Sequence, residues 1–394
     1  MIIAFCHENV DPTRGGCETY IADLARRLLA DRHEVHLLAR HWNPTRLPRG
    51  LTVHPIVTTA WPRWLRPWLF GLACLNELNQ FSHDVSVGFD KTWGQDVFYP
   101  QGGVYSASQH ANFAKYPYPW QQTLARWLKR FDPAVRSFRL IEQLQYRRAQ
   151  VIVVNSQMSR KHVEQYLSCP TKDVHVVHAA ISPERFQLEN RHVFRDRWRC
   201  IWGVKPQTVV GLFMAMNYRL KGLSPLLKAV RALPAECDFK LIIVGSPRFE
   251  NFRSVAERYG IADRVYFHGF CADSRQMYFA CDFLVHPTFY DPCSLVVLEA
   301  LACGLPVITT RFNGAAELMN PPHDGVVIDN PLQTEALTEA IRSMLDRERR
   351  EMASRAALES ARQWTFEDHY RKMTAILEAC CARKKPSREL QLTC

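Results

Sequence analysis

The chain lacks any apolar run long enough to cross a bilayer. Even Trp68–Leu75 stops far short of the roughly 18 to 20 residues that a spanning helix needs. Its 13 cysteines include no C-x-x-C pair and no zinc-like spacing, which excludes a disulfide-stapled module and a zinc finger. No G-x-G-x-x-G occurs, so a hydride-transferring dinucleotide enzyme is disfavoured. No D-x-D occurs either, so the usual carboxylate pair for a metal on a diphosphate is missing. No charged segment precedes Met1–Phe5, and Cys6, His7 and Glu8 end its apolar run, so it reads as a strand and not as a signal peptide.

What is present is enough for two α/β domains. The 394 residues are 47% hydrophobic and 23% charged, and 21 Phe, 13 Tyr and 10 Trp are too many for a disordered chain. The cysteines are expected to be reduced, in a cytoplasmic protein, and mostly to fill core positions as small hydrophobes. Cys380, Cys381 and Cys394 are expected at the surface.

The formal charge is +11, and residues 1–180 carry 21 Lys and Arg against 14 Asp and Glu. Between His110 and Gln150, Lys115, Arg126, Lys129, Arg130, Arg136, Arg139, Arg147 and Arg148 face only Asp132 and Glu142. Tyr116, Tyr118, Trp120, Trp127, Phe131 and Phe138 lie among them, and Trp61–Phe70 is a second stretch of this kind. Arginines with Trp and Tyr suit an anionic membrane surface, whereas the bland alternative is a solvated helix face. The same mixture also suits single-stranded nucleic acid, but no nucleic-acid-binding spacing accompanies it, so no nucleic acid is expected as a partner.

Short apolar runs alternate with helical patterns along the whole chain, the sequence form of βαβ units and parallel sheets. In the first half Ile2–Phe5, Val35–Leu38, Val85–Gly88 and Val151–Val154 read as strands, with the basic aromatic segment inserted as a pair of long helices. In the second half 209–213, 240–244, 265–267, 283–285, 306–309 and 326–328 read as six strands of one doubly wound sheet. Pro183–Trp202 is read as the connection, and Lys384–Arg388 as a frayed tail. Two Rossmann-like domains facing a cleft suit a bisubstrate enzyme.

The most specific string is Asp291-Pro-Cys-Ser-Leu-Val-Val-Leu-Glu299-Ala-Leu-Ala-Cys-Gly304-Leu-Pro306-Val. It reads as a loop feeding a helix, with Cys293, Ser294 and Leu295 at the helix start, where backbone N–H groups attract phosphate. Asp291 and Glu299 can then reach one extended ligand. Met216-Asn-Tyr-Arg219-Leu-Lys221-Gly222 ahead of another helix supplies two cations, Arg219 and Lys221. Gly15-Gly16 lies between the first strand and its helix, where a bare Gly-Gly reads first as a turn. His175 and His178 read as strand residues, not metal ligands, and His268-Gly-Phe270 ends a strand where it borders either a base or packed neighbours.

An acid, seven residues, Glu, and then Ala-x-x-x-Gly-x-Pro-Val resembles the signature of the retaining GT-B glycosyltransferases of the E-x7-E family, with Asp291 in place of the usual first Glu. The resemblance implies that Asp291 contacts the donor hexose, Glu299 the nucleotide ribose, and Lys221 with Arg219 the diphosphate. Gly15, Gly16, Cys293, Ser294, Leu295 and Phe270 complete the implied donor site, and no metal or other cofactor is implied. Ala315 and Glu317 after Asn313-Gly314 resemble a structural Gly-x-x-Glu turn of the family. Gly88-Phe-Asp-Lys-x-x-Gly94-x-Asp96-Val and the basic aromatic insertion are similar to lipopolysaccharide-core glucosyltransferases, although Gln101-Gly-Gly103 stands where those enzymes have an acid.

The expectation is an α/β GT-B chain. Residues 1–190 form the acceptor-side domain, with the insertion at about 105–148. Residues 191–365 form the nucleotide-sugar domain, and 366–394 a terminal helix crossing back, with its tail. The expected function is retaining transfer of a hexose, glucose from UDP-glucose first, to a lipid-linked saccharide such as the lipopolysaccharide inner core. The expected location is peripheral, on the cytoplasmic face of the membrane. The alternatives are transfer of mannose or N-acetylglucosamine to another glycan, and an idle GT-B protein that binds membrane or nucleic acid.

Overall fold

The computed structural model describes residues 1–13, 15–59, 61–62, 64–116, 118–167, 173–181, 186 and 191–392, with side chains as far as Lys384. Most of the expected connection at 183–190, and Cys394, therefore lie outside the described residues. The chain forms two compact units. Met1–Phe113, Tyr118–His178 and Glu367–Cys394 make the first, and Ala114–Pro117 with Ala179–Phe366 the second.

The first unit begins with β1 (Ile2–Cys6), β2 (Asn9–Val10), α1 (Gly16–Ala30), β3 (Glu34–Ala39), β4 (His41–Trp42) and β5 (Thr52–Pro55). It continues through α2 (Arg66–Leu78), β6 (Val85–Phe89), β7 (Val97–Tyr99), α3 (Tyr105–Ala114), α4 (Pro119–Arg130) and α5 (Pro133–Arg148). β8 (Val151–Val154), α6 (Gln157–Tyr166) and β9 (Asp173–Val176) follow. The parallel sheet runs β5-β3-β1-β6-β7-β8-β9, with β2 and β4 paired separately. β1, β6 and β8 are buried along almost their whole length, which is why they read as continuous apolar runs. Three helices, not two, form the basic aromatic insertion. α5 turns Val135, Ile141 and Tyr146 inward, whereas α4 buries nothing.

The second unit holds α7 (Arg191–Ile201), β10 (Val209–Ala215), α8 (Leu223–Ala232), β11 (Phe239–Gly245), α9 (Glu250–Arg258), β12 (Val265–Gly269) and α10 (Arg275–Ala280). It continues with β13 (Phe283–His286), α11 (Leu295–Ala302), β14 (Val307–Thr310), β15 (Gly325–Ile328), α12 (Thr334–Ser343) and α13 (Arg347–Gln363). The sheet order is β12-β11-β10-β13-β14-β15, so all six expected strands pair in one doubly wound parallel sheet. Alternate residues serve opposite faces. Val210, Leu212 and Ile242 pack on the α10 and α11 side, and Phe213, Leu241 and Ile243 on the α8 and α12 side.

α14 (Phe366–Leu392) closes the chain. Its helix continues through the tail that was expected to fray. Cys380 and Cys381 are buried rather than exposed, because this helix packs its apolar face inward with Met373 and Leu377. The described cysteines are all free thiols.

Candidate active site

In the second unit the chain lays down β11 and β12 on one side of β10 and then crosses to β13 on the other. Open α/β sheets take ligands at such a reversal, beyond the carboxyl ends of the two strands. The loops that leave β10 and β13 carry the two most specific motifs of the sequence.

These loops are pinned together. Leu220 O accepts from Phe289 N at 2.9 Å and from Thr288 Oγ1 at 3.3 Å. Gly222 caps α8 at φ 85°, and a Cβ there would stand 2.0 Å from Pro287 O, so both conformation and space require glycine. This close approach aims Lys221 at the second loop. Its Nζ donates to Asp291 Oδ2 at 2.6 Å and to Tyr290 O at 3.1 Å. The resemblance implied separate partners for Lys221 and Asp291, but the structure joins them, because a buried carboxylate needs a counter-charge.

Asp291 is also fixed through its backbone, donating to Phe312 O and accepting from Gly314 N, each at 2.9 Å. Burial would raise its carboxyl pKa. The Lys221 ammonium and then His286 outweigh that and hold it far below the ordinary carboxylate range. His286 is itself buried, with Nε2 3.4 Å from both Asp291 Oδ2 and Ser294 Oγ. Burial pulls its pKa down against the opposing pull of Asp291, so the ring is neutral at pH 7. The sequence reading missed His286 as a site residue, although His286-Pro287 at a strand end was its signal.

Ser294 is the N-cap of α11, but its own amide donates to Asn313 Oδ1 at 3.2 Å. Ser294 N–H is therefore not free to meet a phosphate as expected. Asn313 takes it because its side chain also caps the turn that follows, accepting from Ala315 N and donating to Thr309 Oγ1. The first-turn amides of Leu295 and Val296 remain open among the described residues. Glu299, one turn on and buried, accepts from Tyr278 Oη at 2.6 Å. Cys293 is buried, and burial pushes its thiol pKa well up, so it lines the loop without reactivity. Arg219 and Phe270 are exposed. His268 packs edge-on against Trp198, as the packed alternative has it.

In the first unit, Gly15 caps α1 in an extended conformation and Gly16 opens the helix. A Cβ on Gly15 would meet Glu18 Oε2 at 2.4 Å, so glycine leaves room for that side chain to fold back over the helix start. His175 lies in β9 beside Asp173, at 2.8 Å.

Residues 14–185 match the family described as Glycosyltransferase Family 4, and residues 194–362 the one described as Glycosyl transferases group 1. The chain is a glycosyltransferase of the GT-B type, built from these two domains. Its relatives include the lipopolysaccharide glucosyltransferase WaaG of Escherichia coli K12, 24% identical over 352 residues, which are 88% of this chain and 90% of WaaG. A D-inositol 3-phosphate glycosyltransferase of Corynebacterium glutamicum is 27% identical over 59% of this chain and 58% of its own. The crystal structure of WaaG, a glycosyltransferase involved in lipopolysaccharide biosynthesis, matches with a TM-score of 0.81 and 23% identity over 95% of this chain and 99% of that one. Anabaena HepE in complex with UDP-glucose matches with a TM-score of 0.73 and 18% identity over 96% of this chain and 100% of that one.

Proposed function

We propose that the chain transfers a hexose, glucose from UDP-glucose first, with retention at the anomeric carbon and no metal on the diphosphate. The acceptor is a lipid-linked saccharide such as the lipopolysaccharide inner core, met at the inner membrane surface. The observation that carries this reading is the Lys221–Asp291 pair beside the open amides of α11. A diphosphate arriving at that helix start draws Lys221 from its ion pair, and the released carboxylate turns to hexose hydroxyls. Arg219 adds a mobile cation, Glu299 takes the ribose with Tyr278 orienting it, and Phe270 borders the base. Gly15 and Gly16 open a second helix start in the first unit, which a phosphate reaches by displacing the Glu18 carboxylate.

Charge that develops on the leaving nucleotide is then met by Lys221 and the amides of Leu295 and Val296. The acceptor attacks from the face the nucleotide leaves, and a departing phosphate oxygen takes its proton. WaaG, a glucosyltransferase by name, and the HepE complex with UDP-glucose support glucose as the donor sugar.

Turnover of UDP-glucose by purified protein tests the site. Lys221→Ala and Glu299→Ala should each lower it, Lys221→Ala by roughly a hundredfold. Undiminished turnover in both would remove the proposed site. A larger thermal shift with GDP-mannose or UDP-N-acetylglucosamine than with UDP-glucose would reassign the donor.

A further inference from the structure

The first unit has its own reversal of strand order. After β1 the chain adds β3 and β5 on one side, then crosses to β6 on the other. His7 directly follows β1, Asp90 directly follows β6, and Cys17 sits in the first turn of α1. A ring nitrogen of His7, Cys17 Sγ and a carboxylate oxygen of Asp90 lie within 4.8 Å of one another. The His7 ring is more than nine-tenths buried, and its Nδ1 has no hydrogen-bond partner among the described residues. An orphaned interior nitrogen calls for a ligand or a reason.

Asp90 is held in an uncommon conformation. Its φ is +51°, in the left-handed region that few non-glycine residues occupy. Gly102 N donates to its Oδ1 at 2.8 Å and Gln145 Nε2 to its carbonyl, so the carboxylate is oriented from behind. Burial, then the charges of Asp90 and Glu18, push the Cys17 thiol pKa well up and keep it protonated.

We propose that His7, Cys17 and Asp90 form a site for one divalent ion of the zinc class, at the switch point of the first unit. Nitrogen, sulfur and carboxylate oxygen are donors that zinc accepts together, whereas magnesium does not take a thiolate. Three protein donors leave a fourth tetrahedral position, which a water molecule can fill. The Gly102 amide is the outer partner that ligating carboxylates usually have. Uptake of the ion displaces the Cys17 proton to solvent, so binding tightens as pH rises. The missing D-x-D bears on a metal at the diphosphate, and this site is distinct from that chemistry.

The test is titration of the full-length, chelator-stripped protein with cobalt(II) and zinc(II) chloride. One ion per chain should bind, with a near-ultraviolet thiolate-to-cobalt band that zinc abolishes. Cys17→Ser should lose the band, and His7→Gln and Asp90→Asn should each weaken binding at least about tenfold. In the unmutated protein, zinc should slow alkylation of Cys17 by iodoacetamide, read by peptide mass spectrometry. No cobalt band, a band retained in Cys17→Ser, or alkylation indifferent to zinc would each overturn the proposal. These outcomes are read on metal binding and on Cys17 alkylation, so their failure is distinguishable from a failure of the sugar-transfer reading, which is read on UDP-glucose turnover.

Discussion

Lys221 and Asp291 sit in contact with little solvent around them, so neither can be removed singly without consequence. Lys221→Ala leaves a buried carboxylate unpaired, and such a loss costs about 3–5 kcal/mol. The pH dependence should weaken with it. In the native chain the carboxyl is depressed, so its contribution is fully present above the unfolded value near 4 and is lost as pH falls below it. Without Lys221, only His286 opposes burial, so the depression of the carboxyl shrinks and the acid-side loss of stability becomes shallower. Denaturant unfolding of the second unit at several pH values reads both effects, and Asp291→Asn added to Lys221→Ala should recover most of the loss. A Lys221→Ala variant with the native pH slope would break the account. The acids of this site were legible because Asp291, the helix start and Glu299 share one local string. The Lys221 contact was not, because it depends on β10 and β13 lying side by side, and Asn313 reaches Ser294 in the same non-local way.

At the scale of elements, α14 is fastened to α1 and to the segment after β9 through a buried imidazole. His369 Nε2 accepts from Tyr20 Oη at 2.7 Å, and its Nδ1 donates to His178 O at 2.7 Å, which fixes a neutral tautomer. Burial lowers its pKa from 6.5 to about 4. Below pH 6.5 the unfolded chain binds a proton that the folded chain refuses, so stability falls as pH drops from 6.5 toward 4, by about 3 kcal/mol in all. His369→Gln keeps the hydrogen bonds without titrating, so its unfolding midpoint should change less than the parent's between pH 7 and 4.5. Equal slopes would remove His369 as the cause. This fastening was invisible in the sequence, where His369 is one of 15 histidines. The six strands of the second unit were visible because both of their faces are buried. β7 was missed because it is only three residues long and is introduced by Asp96, whose carboxylate binds Ser86 N and Oγ. β5 was missed because only one of its residues, Val53, has an aliphatic chain typical of buried strands.

For the molecule as a whole, the excess positive charge matters most where it meets uncovered apolar surface. Along α4, Trp120, Leu124, Trp127 and Leu128, with Phe131 after it, recur at helical spacing and are all more than 45% exposed. Arg126, Lys129 and Arg130 occupy the same helix, and Trp61 and Trp64 ahead of α2 are exposed too. An amphipathic helix of this composition binds in the plane of an anionic interface, each nearby Lys or Arg contributing about 1 kcal/mol. No helix among the described residues is long and apolar enough to cross a membrane. Flotation with vesicles should therefore need anionic lipid and weaken as salt rises, since screening shortens from about 8 Å at physiological ionic strength to about 3 Å at 1 M. Trp120→Ser with Trp127→Ser should reduce flotation even at low salt, because it removes apolar insertion and leaves the charge untouched. Flotation indifferent to lipid charge and salt, or unchanged in the double variant, would detach α4 from any role at a membrane.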